Sequence, residues 1–197
     1  MAVLDALREV RQGIISNPGQ GDGAAARAAT ALHEAFSGRF MDEALVHWGA
    51  KDSRRIFDQA VVSTGGAAAD DCVFVGEDAQ ERAFAREAGL RTAAHPVFAR
   101  AAVENRPLLW ARIELSDRLG LPELTAAASE TEAVVVQTVS DRLALAMATA
   151  RGAEALERAG FTVELRGPVD DTATLPIRDD QPVSAPEPRT DAPHEAP

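Results

Sequence analysis

The chain has 197 residues, of which 46% are hydrophobic and 26% are charged, a composition typical of a globular protein with a substantial core. Its formal net charge of −11 argues against nucleic acid or an anionic membrane surface as a partner. No run approaches the roughly 18 apolar residues of a membrane span, and Asp5 and Glu9 argue against a signal peptide. Cys72 is the only cysteine, which excludes an internal disulfide. We therefore expect a cytoplasmic protein.

Helical and strand patterns alternate through the first half of the chain. Asn17-Pro18-Gly19 closes one short apolar run, and Ser53 is a candidate N-cap for a later helix. Such alternation is typical of a parallel sheet covered on both faces, so we predict a Rossmann-like, three-layer α/β domain over residues 1–104. The pattern places strands at about 13–16, 44–48, 72–75 and from 91, with helices at about 2–12 and 24–36 and after positions 53 and 78.

The second half follows a different order. Residues 105–167 contain strand, helix, strand, strand, helix and strand in turn, which predicts a small α+β domain of the ferredoxin-like type. Its two middle strands meet at Ser140-Asp141, a candidate tight hairpin, although the segment from Arg142 also suits a helix. Residues 168–197 hold seven of the 11 prolines and seven acids against two arginines, so we predict a disordered acidic tail.

Polar side chains follow three of the predicted strands in the first half. In open α/β sheets ligands bind at the carboxyl ends of the strands, because loop amides and helix N-termini gather there. Each residue also has a plainer interpretation, since serine and asparagine form turns, lysine is usually solvated, and acids cap helices. Together they form a candidate site that comprises Ser16, Asn17, Lys51, Glu77, Asp78 and Glu81.

The order of these residues resembles the haloacid dehalogenase (HAD) superfamily, whose members are mostly phosphatases. GIISN is similar to the family's second motif, KDSRRIF to its third, and GEDAQE to its fourth. The resemblance covers residues 1–97, and Lys51 is the only lysine of the chain. It implies that Ser16, Asn17 and Lys51 bind phosphate, and that Glu77, Asp78 and Glu81 hold Mg²⁺.

Two departures from the family pattern bear on activity. No apolar strand followed by D-x-D, the nucleophile motif, precedes Ser16, and glutamate stands at both acid positions of the fourth motif. Without an attacking aspartate the covalent intermediate of the family cannot form. We therefore predict a degenerate, non-catalytic HAD-like protein with a binding or scaffolding role, whose partner is a protein, a second copy of the chain or a phosphorylated small molecule. The alternative is a Mg²⁺-dependent phosphohydrolase whose nucleophile lies upstream or on a partner.

Overall fold

The computed structural model describes residues 2–19, 21–36 and 45–169, which form a mixed α/β structure, as the sequence predicts. None of the helices in these ranges combines the length and apolar character needed to cross a bilayer. The helices are α1 (Ala2–Ala6), α2 (Ala24–Ala35), α3 (Arg55–Ser63), α4 (Ala79–Glu87), α5 (Ala99–Val103), α6 (Leu121–Ser129) and α7 (Ala150–Arg158). The strands are β1 (Ile14–Ser16), β2 (Val46–Trp48), β3 (Val73–Val75), β4 (Arg91–Ala93), β5 (Leu109–Glu114), β6 (Ala133–Ser140), β7 (Leu143–Ala148) and β8 (Thr162–Pro168).

The strands of the first half are parallel but short. β1 pairs with β2, and β3 pairs with β4, each through three residues. Within the described residues these pairs remain separate two-stranded sheets, so the single continuous sheet that the sequence predicts is not observed. Strands of three residues present few backbone groups for hydrogen bonding to a further strand. Side-chain packing joins the two strand pairs instead. Ile15 of β1 and Phe74 of β3 pack on the same core, around Phe57.

Helices α4 and α7 end by the same local mechanism. Gly89 and Gly160 adopt positive φ angles of 89° and 98° directly after these helices. The next amide then bonds back into the helix, from Leu90 to the Ala85 carbonyl at 3.0 Å and from Phe161 to the Leu156 carbonyl at 3.1 Å. Glycine accepts this left-handed conformation without steric penalty. Both helices therefore stop where the following residue enters a core.

The second half forms one four-stranded antiparallel sheet with strand order β6-β7-β5-β8. The predicted order of strand, helix, strand, strand, helix and strand is confirmed. The register pairs Ser140 with Leu143, so a two-residue turn closes the predicted hairpin. The segment after Arg142 is a strand and not a helix, because alternate residues of β7 pack on opposite faces of the sheet.

Each face of this sheet is covered by a different part of the chain. On one face, Ile113 and Ala146 pack with Leu124 of α6 and Leu156 of α7. The alternate residues of the strands face the other way and pack against the first half. That second cluster joins Trp110, Val134, Val136 and Met147 of the sheet to Val75, Ala93, Ala94 and Phe98. The first half thus supplies the layer that covers the open face of the sheet.

The second half follows the end of α5 and closes with β8. Asn105 follows α5 with a positive φ of 52°, and the Arg106 amide bonds back to the Ala101 carbonyl at 2.8 Å, which ends that helix. β8 runs through Pro168, the first residue of the predicted tail, and Val169 still packs on the sheet. The rest of the predicted tail, residues 170–197, lies outside the described residues.

Candidate functional site

The candidate site lies where β3 ends and α4 begins. Lys51 Nζ lies 3.0 Å from Glu81 Oε2, and both side chains are about three-quarters shielded from solvent, with exposed fractions of 21% and 26%. The loop after β2 supplies the lysine, whereas the first turn of α4 supplies the glutamate. Two residues that the sequence places at neighbouring strand ends thus meet in space. Their contact is an ion pair between the only lysine and the last acid of the predicted motif.

Asp78 has a structural role in this corner. It is the N-cap of α4, with an extended backbone, and its Oδ1 accepts a hydrogen bond from the Glu81 amide at 2.9 Å. This contact satisfies one of the amides that the first turn of a helix leaves without a partner. The plainer interpretation of an acid after a strand, as a helix cap, therefore describes Asp78.

Ser16 and Asn17 shape the turn after β1. The Ser16 carbonyl accepts a hydrogen bond from the Gly49 amide at 3.0 Å, which extends the pairing of β1 and β2 by one step. Asn17 Oδ1 accepts from the Gly19 amide at 3.0 Å, a side-chain-to-backbone contact typical of asparagine in turns. The contacts of Asn17 are thus those of a turn residue, and Ser16 closes the strand pair.

Arg82 is a member of this corner that sequence reasoning missed. Its side chain is fully buried, and its Nη1 donates to the carbonyls of Gly76 at 2.9 Å and Glu77 at 2.6 Å. These two hydrogen bonds attach the Arg82 guanidinium to the backbone at the end of β3. A sequence signal existed, because Arg82, Ala85 and Ala88 follow one another at the three-residue spacing of a buried helix stripe. A charged residue on such a stripe indicates a buried polar contact.

Glu77 is exposed, and its charge acts on His95, which follows β4. Burial lowers the pKa of His95 below its ordinary value, while the negative charge of Glu77 opposes that shift. His95 Nδ1 also accepts a hydrogen bond from the Val97 amide at 3.2 Å. Since Nδ1 acts as an acceptor, the neutral ring carries its proton on Nε2. His95, which follows β4, thus lies within the electrostatic influence of Glu77.

The three acids that the resemblance assigns to Mg²⁺ make different contacts in this structure. Asp78 caps α4, Glu81 pairs with Lys51, and Glu77 is exposed. Mg²⁺ requires near-octahedral oxygen ligands, and here a cation would have to displace the lysine from Glu81. Among the described residues, no three histidine, cysteine, aspartate or glutamate side chains lie close enough together to hold a metal ion.

Comparison with known proteins adds no relative to this picture. No protein-family model, curated protein or solved structure matches the chain significantly. The functional argument therefore depends on the residues and contacts described above.

Proposed function

We propose that this chain is a non-catalytic binding or scaffolding protein with a HAD-like first half and a ferredoxin-like second half. One observation carries the proposal: the polar groups that would act on a phosphoryl group are engaged within the chain. Lys51 pairs with Glu81 at 3.0 Å, and Asp78 caps α4. These contacts give the corner a role in holding β3, α4 and the loop after β2 together.

The chemistry of the family supports the same conclusion. Phosphoryl transfer through a covalent intermediate needs an attacking carboxylate, and no D-x-D motif precedes Ser16 in this sequence. Loss of a nucleophile that no neighbour replaces lowers the rate by several orders of magnitude. The remaining corner would orient substrate charge without a group that attacks phosphorus. We therefore assign the corner a structural role. The molecule that the chain binds is then a partner protein, a second copy of the chain or a small phosphorylated molecule.

One observation favours the second candidate, a Mg²⁺-dependent phosphohydrolase completed by a nucleophile from elsewhere. Lys51 and Glu81 are 30 positions apart in the sequence, yet their side chains meet at the edge where the resemblance expects them. A corner of this kind would stabilise the charge of a transferring phosphoryl group. The two candidates differ in whether purified protein turns over a phosphate ester.

An assay with p-nitrophenyl phosphate and Mg²⁺ separates these candidates. We expect the purified chain to release no nitrophenolate above the rate in buffer. Turnover that requires Mg²⁺ and disappears in Lys51→Met would overturn the proposal. Arg142→Met is the matched control, because it removes one positive charge from the exposed turn of the β6–β7 hairpin. Turnover that persists in both variants would indicate a contaminating phosphatase, since its rate does not depend on residues of this chain.

A double-mutant cycle tests the structural role of the same pair. We expect Lys51→Met and Glu81→Gln to be coupled by about 0.5–1 kcal/mol in the free energy of unfolding, because the pair is only partly shielded from solvent. The coupling should fall as salt is added, since ions screen partly exposed charges. Urea denaturation of the four proteins measures it. A coupling of zero at low salt would contradict the ion pair and the structural role built on it.

A further inference from the structure

A second candidate site lies away from this corner, where β4 and α5 meet the four-stranded sheet. A cleft of about 390 Å³ opens there, and none of the six predicted site residues lines it. Its apolar wall includes Phe98, Leu108 and Met147, which belong to the cluster that joins the two halves. A volume of this size accommodates a small organic molecule.

The charge around this cleft is unusual for so acidic a protein. Arg86, Arg91 and Arg106 line it together with Thr92 and Asn105, and none of the described lining residues is an acid. The chain as a whole carries a net charge of −11. Three guanidinium groups beside an apolar wall form a positive surface next to a place where an apolar group can be buried. That combination favours an anion with an apolar body.

Arg106 is paired with carboxylates, whereas Arg91 Nη1 donates to backbone carbonyls. The Arg106 guanidinium donates to both carboxylate oxygens of Glu132 and also to Glu104 Oε2, so its charge is compensated within the chain. Arg91 Nη1 donates to the carbonyls of Ala102 and Val103, both at 2.9 Å, at the end of α5. No carboxylate takes part in either of these two contacts of Arg91.

Arg91 also carries a donor that nothing in the described chain satisfies. Its Nε is the one buried side-chain nitrogen or oxygen among the described residues that lacks a hydrogen-bond partner. Buried donors in native structures are almost always paired, so an orphaned one indicates a missing acceptor. A guanidinium presents donors in a fixed planar fork that matches the two oxygens of a carboxylate.

We propose that this cleft binds a small organic carboxylate, with the carboxylate at Arg91 and the apolar body against Phe98 and Met147. A carboxylate carries one negative charge, which suits Arg91, whose buried Nε lacks a partner among the described residues. This inference goes beyond the proposed function, because it concerns different residues and holds whether or not the strand-end corner is catalytic.

A titration of the full-length protein with benzoate tests the proposal directly. Met147 is 1% exposed and is one of only three methionines, so a methyl-labelled sample gives a signal that a Met147→Leu variant identifies. We expect benzoate to shift the Met147 methyl resonance saturably. Benzyl alcohol, which has a similar body without charge, should shift it much less. No saturable shift, or an equal response to benzyl alcohol, would overturn the proposal.

Variants and a second anion locate the carboxylate. Arg91→Gln should weaken benzoate binding by about tenfold or more, as expected for losing a hydrogen bond to a charged group. Arg142→Gln, which removes the same charge at an exposed hairpin, should leave the affinity unchanged. Equal weakening in both variants would overturn the assignment to Arg91. Phenyl phosphate binding more tightly than benzoate to the unmodified protein would overturn the assignment to carboxylates, and this result does not depend on whether Arg91→Gln folds.

Discussion

The two halves of this protein use strands in different ways. In the first half, β1 to β4 have three residues each and form two parallel pairs. In the second half, β5 to β8 have six to eight residues and form one antiparallel sheet. A hairpin and two helical crossovers set the register of the longer strands, whereas the short pairs depend on side-chain packing. Strand length therefore decides which half contains a continuous sheet.

The two halves also differ in how far the apolar core of each depends on residues of the other. The second half has its own core between the sheet and helices α6 and α7. Its other sheet face, with Trp110 and Met147, is covered by residues of the first half such as Phe98. Separation would expose this apolar cluster to water, at about 25 cal/mol for each Å². We infer that the halves unfold together.

The largest expected effect comes from removing the centre of the first core. Phe57 is fully buried and meets Phe74 edge to face, with ring centroids 4.9 Å apart. We expect Phe57→Ala to lower the free energy of unfolding by about 3–5 kcal/mol, through lost burial and the cavity it leaves. Urea denaturation, followed by fluorescence, measures the loss.

The two tryptophans show whether that loss spreads across the molecule. Trp48 lies in β2 and Trp110 in β5, so single-tryptophan proteins report on one half each. We expect both signals to shift together in Phe57→Ala, and again in Leu124→Ala, the matched change in the core of the second half. A shift of the Trp48 transition alone in Phe57→Ala would show that the halves unfold independently and would contradict the coupling through Met147 and Phe98.

A smaller effect is expected where α7 approaches Glu132, the residue before β6. A Cβ atom added to Gly152 would lie 2.1 Å from the backbone oxygen of Glu132, a distance that forces one of the two segments to move. We expect Gly152→Ala to destabilise the protein by about 1–3 kcal/mol, the range for overpacked sites. Gly167→Ala is the control, because no atom lies within 4 Å of its added Cβ. Equal urea midpoints for the two variants would contradict the close approach.

The elements were predictable from the sequence because local signals specify them. The hairpin predicted at Ser140-Asp141 turns through Asp141 and Arg142, and this turn and the glycines after α4 and α7 depend on a few neighbouring residues. Predicting the sheet of the first half required knowing which strands share a ladder. That depends on packing between Ile15 and Phe74, nearly 60 positions apart, and no local pattern encodes it.

The candidate site shows the same limit at the level of single residues. The strand-end argument placed Lys51 and Glu81 close together, and they form an ion pair although β2 and β3 belong to separate sheets. It did not show that Asp78 would cap α4 or that Arg82 would lie buried beneath the loop. Those outcomes depend on the orientation of α4. Local sequence patterns do not predict the cleft around Arg91, because residues of both halves form its walls.

The smallest predicted effect concerns the polar contacts that join Glu132, before β6, to Arg106, just after α5, and to Thr149 before α7. Glu132 accepts hydrogen bonds from Arg106 Nη2 at 2.7 Å and from Thr149 Oγ1 at 2.6 Å. The bonds from Arg106, and then the bond from Thr149, lower the pKa of Glu132 below its ordinary value of 4.5. A carboxyl group whose pKa is lower in the folded state stabilises the protein above the unfolded pKa, and this contribution disappears as the pH falls through the folded value.

The pH dependence of Glu132→Gln tests these contacts. At neutral pH we expect the variant to lose about 1 kcal/mol of unfolding free energy, a value reduced by the partial exposure of the pair. The difference from the unmodified protein should shrink as the pH falls below 4.5 and disappear once it has fallen through the lower pKa of the folded state, where protonation makes Glu132 itself neutral. Glu157→Gln, on the exposed side of α7, should change the free energy by less than about 0.5 kcal/mol at either pH. A loss in Glu132→Gln that persists unchanged in acid would mean that the charge of Glu132 contributes nothing, and that the contact between Arg106 and Glu132 depends on shape alone.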